Sequence, residues 1–322
     1  MIKDIRAWVV GLFCGFLCLS AWTQTYPDHP IKILQGFAPG GNADNIARSI
    51  GLEISKSFAQ SVVVEAQTGA GGTIASASVA RAKPDGYTLL LATGGHAVAG
   101  ALYNSLPYKT VADYEMISTL TYFPFLIVTS AESKFKNFAD LLDAARTTPN
   151  GLTYGSAGIG STHHLAGELL AKMGRMNLVH IPYRGDAASI TALLANDVNF
   201  IIAPPTAVIA NIKAGKLRAL ATTGPLRWPG LPELATVADQ GVGGYDVRSW
   251  AGLMAPVGTP KPVIDKLNFE TNKALLLPSV KSRLEEMGGE ARGSTPDEMR
   301  QMVSSELQRW TQVINDAKIP RQ

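Results

Sequence analysis

Apolar residues along this chain fall in short runs bounded by turn residues, and those runs alternate with segments of helical period. The alternation predicts strands over 31–36, 62–65 and 87–92 and helices over 42–59 and 72–82, with Pro84-Asp85-Gly86 turning the chain before the third strand. A second series repeats the logic, with strands over 152–154, 179–181, 199–202 and 217–223 and helices over 162–173 and 187–195. Strands alternating with helices predict an α/β fold, each series with its own mostly parallel sheet. Two longer extended stretches, 116–128 and 245–255, lie between the series. They predict two crossover strands around a hinged cleft, joining a discontinuous domain 1 (25–124 and 246–322) to domain 2 (125–245). The return segment reads as helices over 261–277, 280–287 and 296–317, the last opened by a Thr295 N-cap and Pro296 at N1. Met299, Met302, Val303, Leu307, Trp310 and Ile314 recur on one face of it, the mark of a buried stripe.

The first residues have the layout of a secretory signal peptide over 1–24. Lys3 and Arg6 are basic, 8–19 is an apolar run too short to span a bilayer, and 20–25 is small or polar. Both cysteines, Cys14 and Cys18, lie inside that run, so the exported chain is expected to have no thiol, disulfide or thiolate metal site. The 322 residues, 46% of them hydrophobic, can fill two ordinary cores. The formal net charge is +3, of which Lys3, Arg6 and Asp4 supply +1, leaving +2 after cleavage, with no basic tract. Phosphate-backbone binding needs a concentrated basic face, so no nucleic-acid partner is expected.

Two strand-to-helix turns carry the chemistry. Phe37-Ala38-Pro39-Gly40-Gly41 leads into a helix with Asn42 as a candidate N-cap and Asp44 in the first turn. A helix start presents unpaired N–H donors and about half a positive charge, which suits a carboxylate or phosphate. Such a Gly-Gly turn also simply provides positive φ without a Cβ clash. The second turn, Gly155 to His163, is dense in glycine and in hydroxyls (Ser156, Ser161, Thr162), and the two turns facing one cleft would clamp an anion. No P-loop, dinucleotide fingerprint or nucleophile elbow is present, and no cofactor is expected. His164 and Glu168 share a helical face beside His163, but without an H-E-x-x-H pattern they read as a structural pair, and no metal site is assigned. His96, after Thr93-Gly94-Gly95, either reaches the cleft or caps its own turn.

These residues resemble the Bug-type periplasmic solute receptors, the binding subunits of tripartite tricarboxylate transporters. The resemblance runs through Phe37-Ala38-Pro39-Gly40-Gly41 with Asp44 and Arg48, Gly69-Ala70-Gly71-Gly72, Lys83-Pro84-Asp85-Gly86-Tyr87, Gly155-Ser156 to Ser161, His164-Leu165-Ala166-Gly167-Glu168, Pro182-Tyr183-Arg184-Gly185 and Trp250-Ala251-Gly252-Leu253. It implies a type II periplasmic binding protein fold and a ligand carboxylate held between the two turns. By resemblance the contacts are Phe37, Ala38, Pro39, Gly40, Gly41 and Asp44 on one side and Ser156, Ala157, Gly160, Ser161, Thr162 and His163 on the other. By the same resemblance, members that bind amino acids carry an Asp closing the strand after a Val-Asp pair; here the matching run is Val198-Asn199-Phe200-Ile201-Ile202-Ala203, with Ala203 in the place of that Asp. That difference implies a ligand without an amine, a dicarboxylate or an aromatic carboxylate. Tyr183, Arg184 and Trp250 stand as possible walls for its far end, or as ordinary packing residues. The resemblance implies a monomeric receptor, not an enzyme, with membrane permease subunits as partners. Two rival readings stay open at this stage: a receptor for a membrane sensor kinase, and a secreted α/β enzyme using Ser161 with His163 or His164.

Overall fold

The computed structural model describes residues 26–322; the signal peptide expected over 1–24 and both cysteines lie outside the described residues. The first sheet has the order β11-β4-β10-β3-β1-β2, formed by β1 (Ile31–Gln35), β2 (Val62–Ala66), β3 (Thr88–Thr93), β4 (Tyr114–Pro124), β10 (Arg248–Pro256) and β11 (Glu290–Ala291). β1 to β3 are parallel, with Ile33 opposite both Val64 and Leu89, while β10 runs antiparallel between β3 and β4. The second sheet, β7-β6-β8-β5-β9, contains β5 (Leu126–Ser130), β6 (Leu152–Ser156), β7 (Leu178–Pro182), β8 (Phe200–Ala203) and β9 (Leu217–Thr222). Here β6 to β8 are parallel and β5 is antiparallel to β8 and β9. Both central strand sets are apolar on both faces, as strands covered by helices must be.

Helices of the first lobe are α1 (Asn42–Phe58), α2 (Thr73–Ala80), α3 (Gly94–Leu102), α8 (Lys261–Leu275), α9 (Pro278–Glu286) and α10 (Pro296–Ala317); those of the second are α4 (Phe138–Thr147), α5 (Thr162–Gly174), α6 (Asp186–Leu194) and α7 (Pro205–Lys213). α10 begins where its cap residues predict: Thr295 accepts from the Glu298 N–H while Glu298 accepts from the Thr295 N–H, a complete capping box with Pro296 at N1. α1 corrects an expectation. Its N-cap is Gly41, without a side-chain cap, and Asn42 is the first helical residue. The elements over 94–102, 138–147 and 205–213 are helices the periodicity did not announce.

The chain crosses between sheets twice, at Phe125 and at Val247, and Thr223 stitches the crossings together. The Phe125 N–H donates to Thr223 Oγ1 (2.8 Å) and the Thr223 N–H to the Phe125 carbonyl (2.9 Å). The Val247 N–H donates to the Thr223 carbonyl (2.9 Å), and Thr223 Oγ1 returns a hydrogen bond to the Val247 carbonyl (2.7 Å). All three residues are buried, so the hinge is a short, dry, fully paired strip rather than a loose linker. No helix among the described residues is long and apolar enough to cross a membrane.

Candidate functional site

Ligands of open parallel sheets sit beyond the carboxyl ends of the strands. In this molecule those ends of the two sheets meet face to face. A Cβ added at Gly71, after β2, would lie 2.7 Å from the Ile159 carbonyl and 3.0 Å from the Ser161 nitrogen, after β6. One at Gly185, after β7, would lie 3.5 Å from the Ala38 Cβ, after β1. One at Gly94, after β3, would lie 3.0 Å from Thr162 Oγ1 at the start of α5. Thr206 Oγ1 donates to Asn42 Oδ1 (2.9 Å), tying α7 to α1. The lobes are therefore closed on each other. Both expected turns border this cleft, with 183–185 nearest to Ala38 and 157–161 nearest to Gly71.

Between these loops lies a cavity of about 490 Å³, lined by 36–38, 68–71 and Ile74 from one lobe and by 157–159 and 183–185 from the other. That is the size of a small-molecule site. Its surface is rich in backbone donors. Among the described residues, the N–H groups of Ala38, Ala157, Ile159, Arg184 and Gly185 donate to no acceptor within the chain. Of the described lining residues Arg184 alone bears a charge, and none has a carboxylate. The Gly69–Gly72 turn, which the candidate residues did not include, contributes one wall. Its signal in the sequence was the Gly-Ala-Gly-Gly run, whose φ values of 138° (Gly69), 63° (Gly71) and 96° (Gly72) exclude ordinary side chains.

Several expected contacts hold the turns instead of facing the cavity. Asp44 is buried and accepts from the Gly40 N–H (3.0 Å), from Arg48 Nε and Nη2 (2.8 and 3.1 Å) and from Gln35 (3.4 Å), while Gln35 Oε1 accepts the Phe37 N–H (2.7 Å). Burial alone would raise the Asp44 pKa, but the Arg48 guanidinium and the Gly40 N–H hold it below the usual carboxylate range. The first helix start thus carries its own anion, with Pro39 and Gly40 exposed beyond it and Gly41 as cap. Ser156 Oγ accepts the Gly158 N–H (3.1 Å) and pairs with His180 Nε2 (2.6 Å). Ser161 Oγ caps α5 through the His164 N–H (3.3 Å), and the Gly160 N–H points at His164 Nδ1 (3.5 Å). Thr162 Oγ1 and both ring nitrogens of His163 are buried without a hydrogen bond, although His163 Nε2 lies 3.2 Å from Asp186 Oδ1.

Three expectations change. His96 does not reach the cavity through its ring: Nδ1 meets Ser76 Oγ (3.0 Å), Nε2 meets the Thr110 carbonyl (2.9 Å), and Tyr108 stacks on it. Ala203 is fully buried among Leu126, Val208 and neighbouring apolar groups, because β8 is a central strand, so it forms no part of the cavity wall. Trp250 is buried and does not line this cavity, which leaves Tyr183 and Arg184 as the walls. His164 and Glu168 form the structural pair, 3.9 Å apart, with Tyr154 donating to Glu168 (2.8 Å) and His180 stacked on His164.

Burial pushes His96 and His164 down to about 4, and burial with the neighbouring His164 pushes His180 to about 3. Folded pKa values below the unfolded 6.5 mean that the unfolded chain binds more protons between roughly pH 6.5 and 4. Stability is therefore full above about pH 6.5 and falls on acidification through that window. Urea unfolding at pH 7.5 and pH 5 should differ by about 2 kcal/mol or more; equal midpoints and slopes would contradict the neutral, buried assignment.

The fold and the family have known counterparts. The family model of the tripartite tricarboxylate transporter family receptor matches residues 46–319. The chain is 32% identical over 312 residues to BugT of Bordetella pertussis, covering 96% of each. It is 38% identical over 297 residues to the UPF0065 protein in the tcbD-tcbE intergenic region of Pseudomonas sp. (strain P51), covering 92% of this chain and 88% of that one. The solved periplasmic binding protein BugD superposes with a TM-score of 0.88 at 33% identity, over 92% of this chain and 100% of its own. An R. palustris protein solved with adipate gives 0.88 at 33% identity over 92% and 99%, and MatC from Rhodopseudomonas palustris with bound malate gives 0.85 at 30% over 90% and 100%. The family is one of receptors and its solved members here are binding proteins rather than enzymes, with the two-domain fold that this chain shares. The chain belongs to the tripartite tricarboxylate transporter receptor family, as a Bug-type solute-binding receptor.

Proposed function

We propose that the protein is a periplasmic receptor, exported by the signal peptide expected over 1–24, that captures a small dicarboxylate without an amine and delivers it to the permease subunits of a tripartite tricarboxylate-type transporter. The observation that carries this reading is the cavity at the lobe interface: free backbone N–H groups on both lobes, one guanidinium, and no carboxylate. An anion gains donors from both sides, whereas an ammonium meets no counter-ion there. The absence of a lining carboxylate thus takes over the argument that Ala203 was expected to supply. Relatives solved with adipate and with malate favour a dicarboxylate over an aromatic acid.

Capture follows from the hinge. In the open state the ligand meets the donors of one lobe; closing about Phe125 and Val247 adds those of the other, so the ligand selects the closed state by its differential contacts. The moving bodies are 25–124 with 246–322, and 125–245. Micromolar capture corresponds to about −8 kcal/mol, within reach of several charge-assisted hydrogen bonds in a closed cavity. Calorimetry on the chain lacking 1–24 should give micromolar dissociation constants for adipate or malate and at least tenfold weaker binding of glutamate. Absence of heat with every carboxylate, or glutamate binding as well as the others, would overturn the assignment.

A further inference from the structure

Beneath the turn 156–161 of the second lobe stands a stack of three rings, none of which lines the cavity. β6 and β7 run parallel with Tyr154 opposite His180, so Tyr154, Ser156 and His180 share one face of the sheet. The His180 ring stacks on Tyr154, with centroids 4.9 Å apart, and on His164 of α5, at 4.1 Å. Glycine at 167 lets α5 come this close, since a Cβ there would stand 2.1 Å from Tyr154 Cε2. The Tyr154 hydroxyl donates to Glu168 (2.8 Å) and lies 3.0 Å from the His164 carbonyl, which ties the stack to α5.

The stack takes up donors of the turn. The Gly158 N–H donates to Ser156 Oγ (3.1 Å), whose other close partner is His180 Nε2 (2.6 Å). The Gly160 N–H points at His164 Nδ1 (3.5 Å), and the Ser161 N–H donates to the Gly158 carbonyl (3.2 Å). Those three donors are spent inside the turn. The two left without an acceptor, on Ala157 and Ile159, belong to residues that line the cavity. Release of the Gly158 N–H frees the peptide plane that also carries the Ala157 carbonyl, and a carbonyl turned to the cavity would repel a carboxylate. We propose that His180 is a positioning residue for carboxylate binding: through Ser156, and braced by His164, it fixes the turn so that Ala157 and Ile159 offer their N–H groups to the ligand. This role rests on the carboxylate reading of the cavity.

Two substitutions at His180 separate positioning from packing. His180→Leu removes the ring nitrogen that meets Ser156, whereas His180→Gln keeps a polar group able to reach it; both lose the stacked ring, so their melting temperatures should fall together. Calorimetry with adipate and with malate on the chain lacking 1–24 should show at least tenfold weaker binding in His180→Leu and binding within a few-fold of the unsubstituted chain in His180→Gln. Ser156→Ala, smaller by one hydroxyl, should weaken binding as His180→Leu does and serves if that variant fails to fold. Amide hydrogen exchange at Gly158 should speed up in His180→Leu and Ser156→Ala and stay slow in His180→Gln. Equal affinities in His180→Leu and His180→Gln, or unchanged Gly158 exchange in His180→Leu, would overturn the positioning role alone. An unsubstituted chain that binds neither acid would instead overturn the carboxylate reading on which the role rests.

Discussion

Gly71→Ala is expected to lower affinity for the tightest-binding carboxylate by at least a hundredfold, about 2.7 kcal/mol, while leaving the protein folded. The added Cβ would stand 2.7 Å from the Ile159 carbonyl oxygen and 2.8 Å from the Gly160 carbonyl carbon. Those are backbone atoms of the opposite lobe, so no side-chain rotation relieves the clash; only opening does. The substitution also forces alanine into φ 63°, which costs about 1–2 kcal/mol in either state. Gly40→Ala separates the two effects. Its φ is 79°, equally strained, but nothing lies within 4 Å of its added Cβ. Gly40→Ala should therefore share the small loss of melting temperature and keep affinity within a few-fold. Equal losses of affinity in both variants, measured by calorimetry, would show that strain and not closure controls binding.

The second large effect is on stability. Trp310→Ala should cost about 3–5 kcal/mol and lower the melting temperature by roughly 10 °C. Trp310 is fully buried on α10, with Met299, Val303 and Ile314 along the same face, and its indole N–H donates to Glu306 (3.1 Å). Against a typical total of about 5–15 kcal/mol, that loss is a substantial fraction. Since Trp310 lies outside the cavity between the lobes, carboxylate affinity at 25 °C should stay within a few-fold. A melting shift under about 2 °C would mean that the α10 face packs far more loosely than its burial indicates.

Which parts of this fold were readable from sequence depends on how strongly each segment expressed a period. α10 was legible to the residue, because its stripe and its Thr295-Pro296 start point the same way. α3 was not. Gly-Gly-His-Ala-Val-Ala-Gly-Ala-Leu is almost wholly buried, so it has no polar face to mark a helix, and its two opening glycines read as a turn. Gly94 stands there because a Cβ would press on Ser249 Oγ in its own lobe and on Thr162 Oγ1 across the cleft. α4 did offer signals, an Asn137 cap and Asp140 in the first turn, that strand alternation overshadowed. α7 follows two prolines, which resemble a break until Pro205 is seen to occupy the first helical position.

The cavity followed the same division. Glycine runs at strand ends could be found, and so could Ala38, Ala157 and Arg184. Which run faces which could not, because that depends on how the two sheets oppose each other. Asp44 misled for a physical reason: a carboxylate in the first turn suits a helix start so well that it satisfies the start itself, with Arg48 as its counter-ion. His96 illustrates the reverse case, a polar residue next to a glycine turn whose ring points inward to Ser76 and Thr110.

A crystal structure of the chain lacking 1–24 with its tightest-binding dicarboxylate decides whether both lobes hold the ligand. Carboxylate oxygens are expected within 3.2 Å of the N–H groups of Ala38 on one lobe and of Ala157, Ile159 or Gly185 on the other, directly or through one water, with the lobes closed. A ligand held by one lobe alone, or bound away from the loops 36–38, 68–71, 157–159 and 183–185, would contradict it.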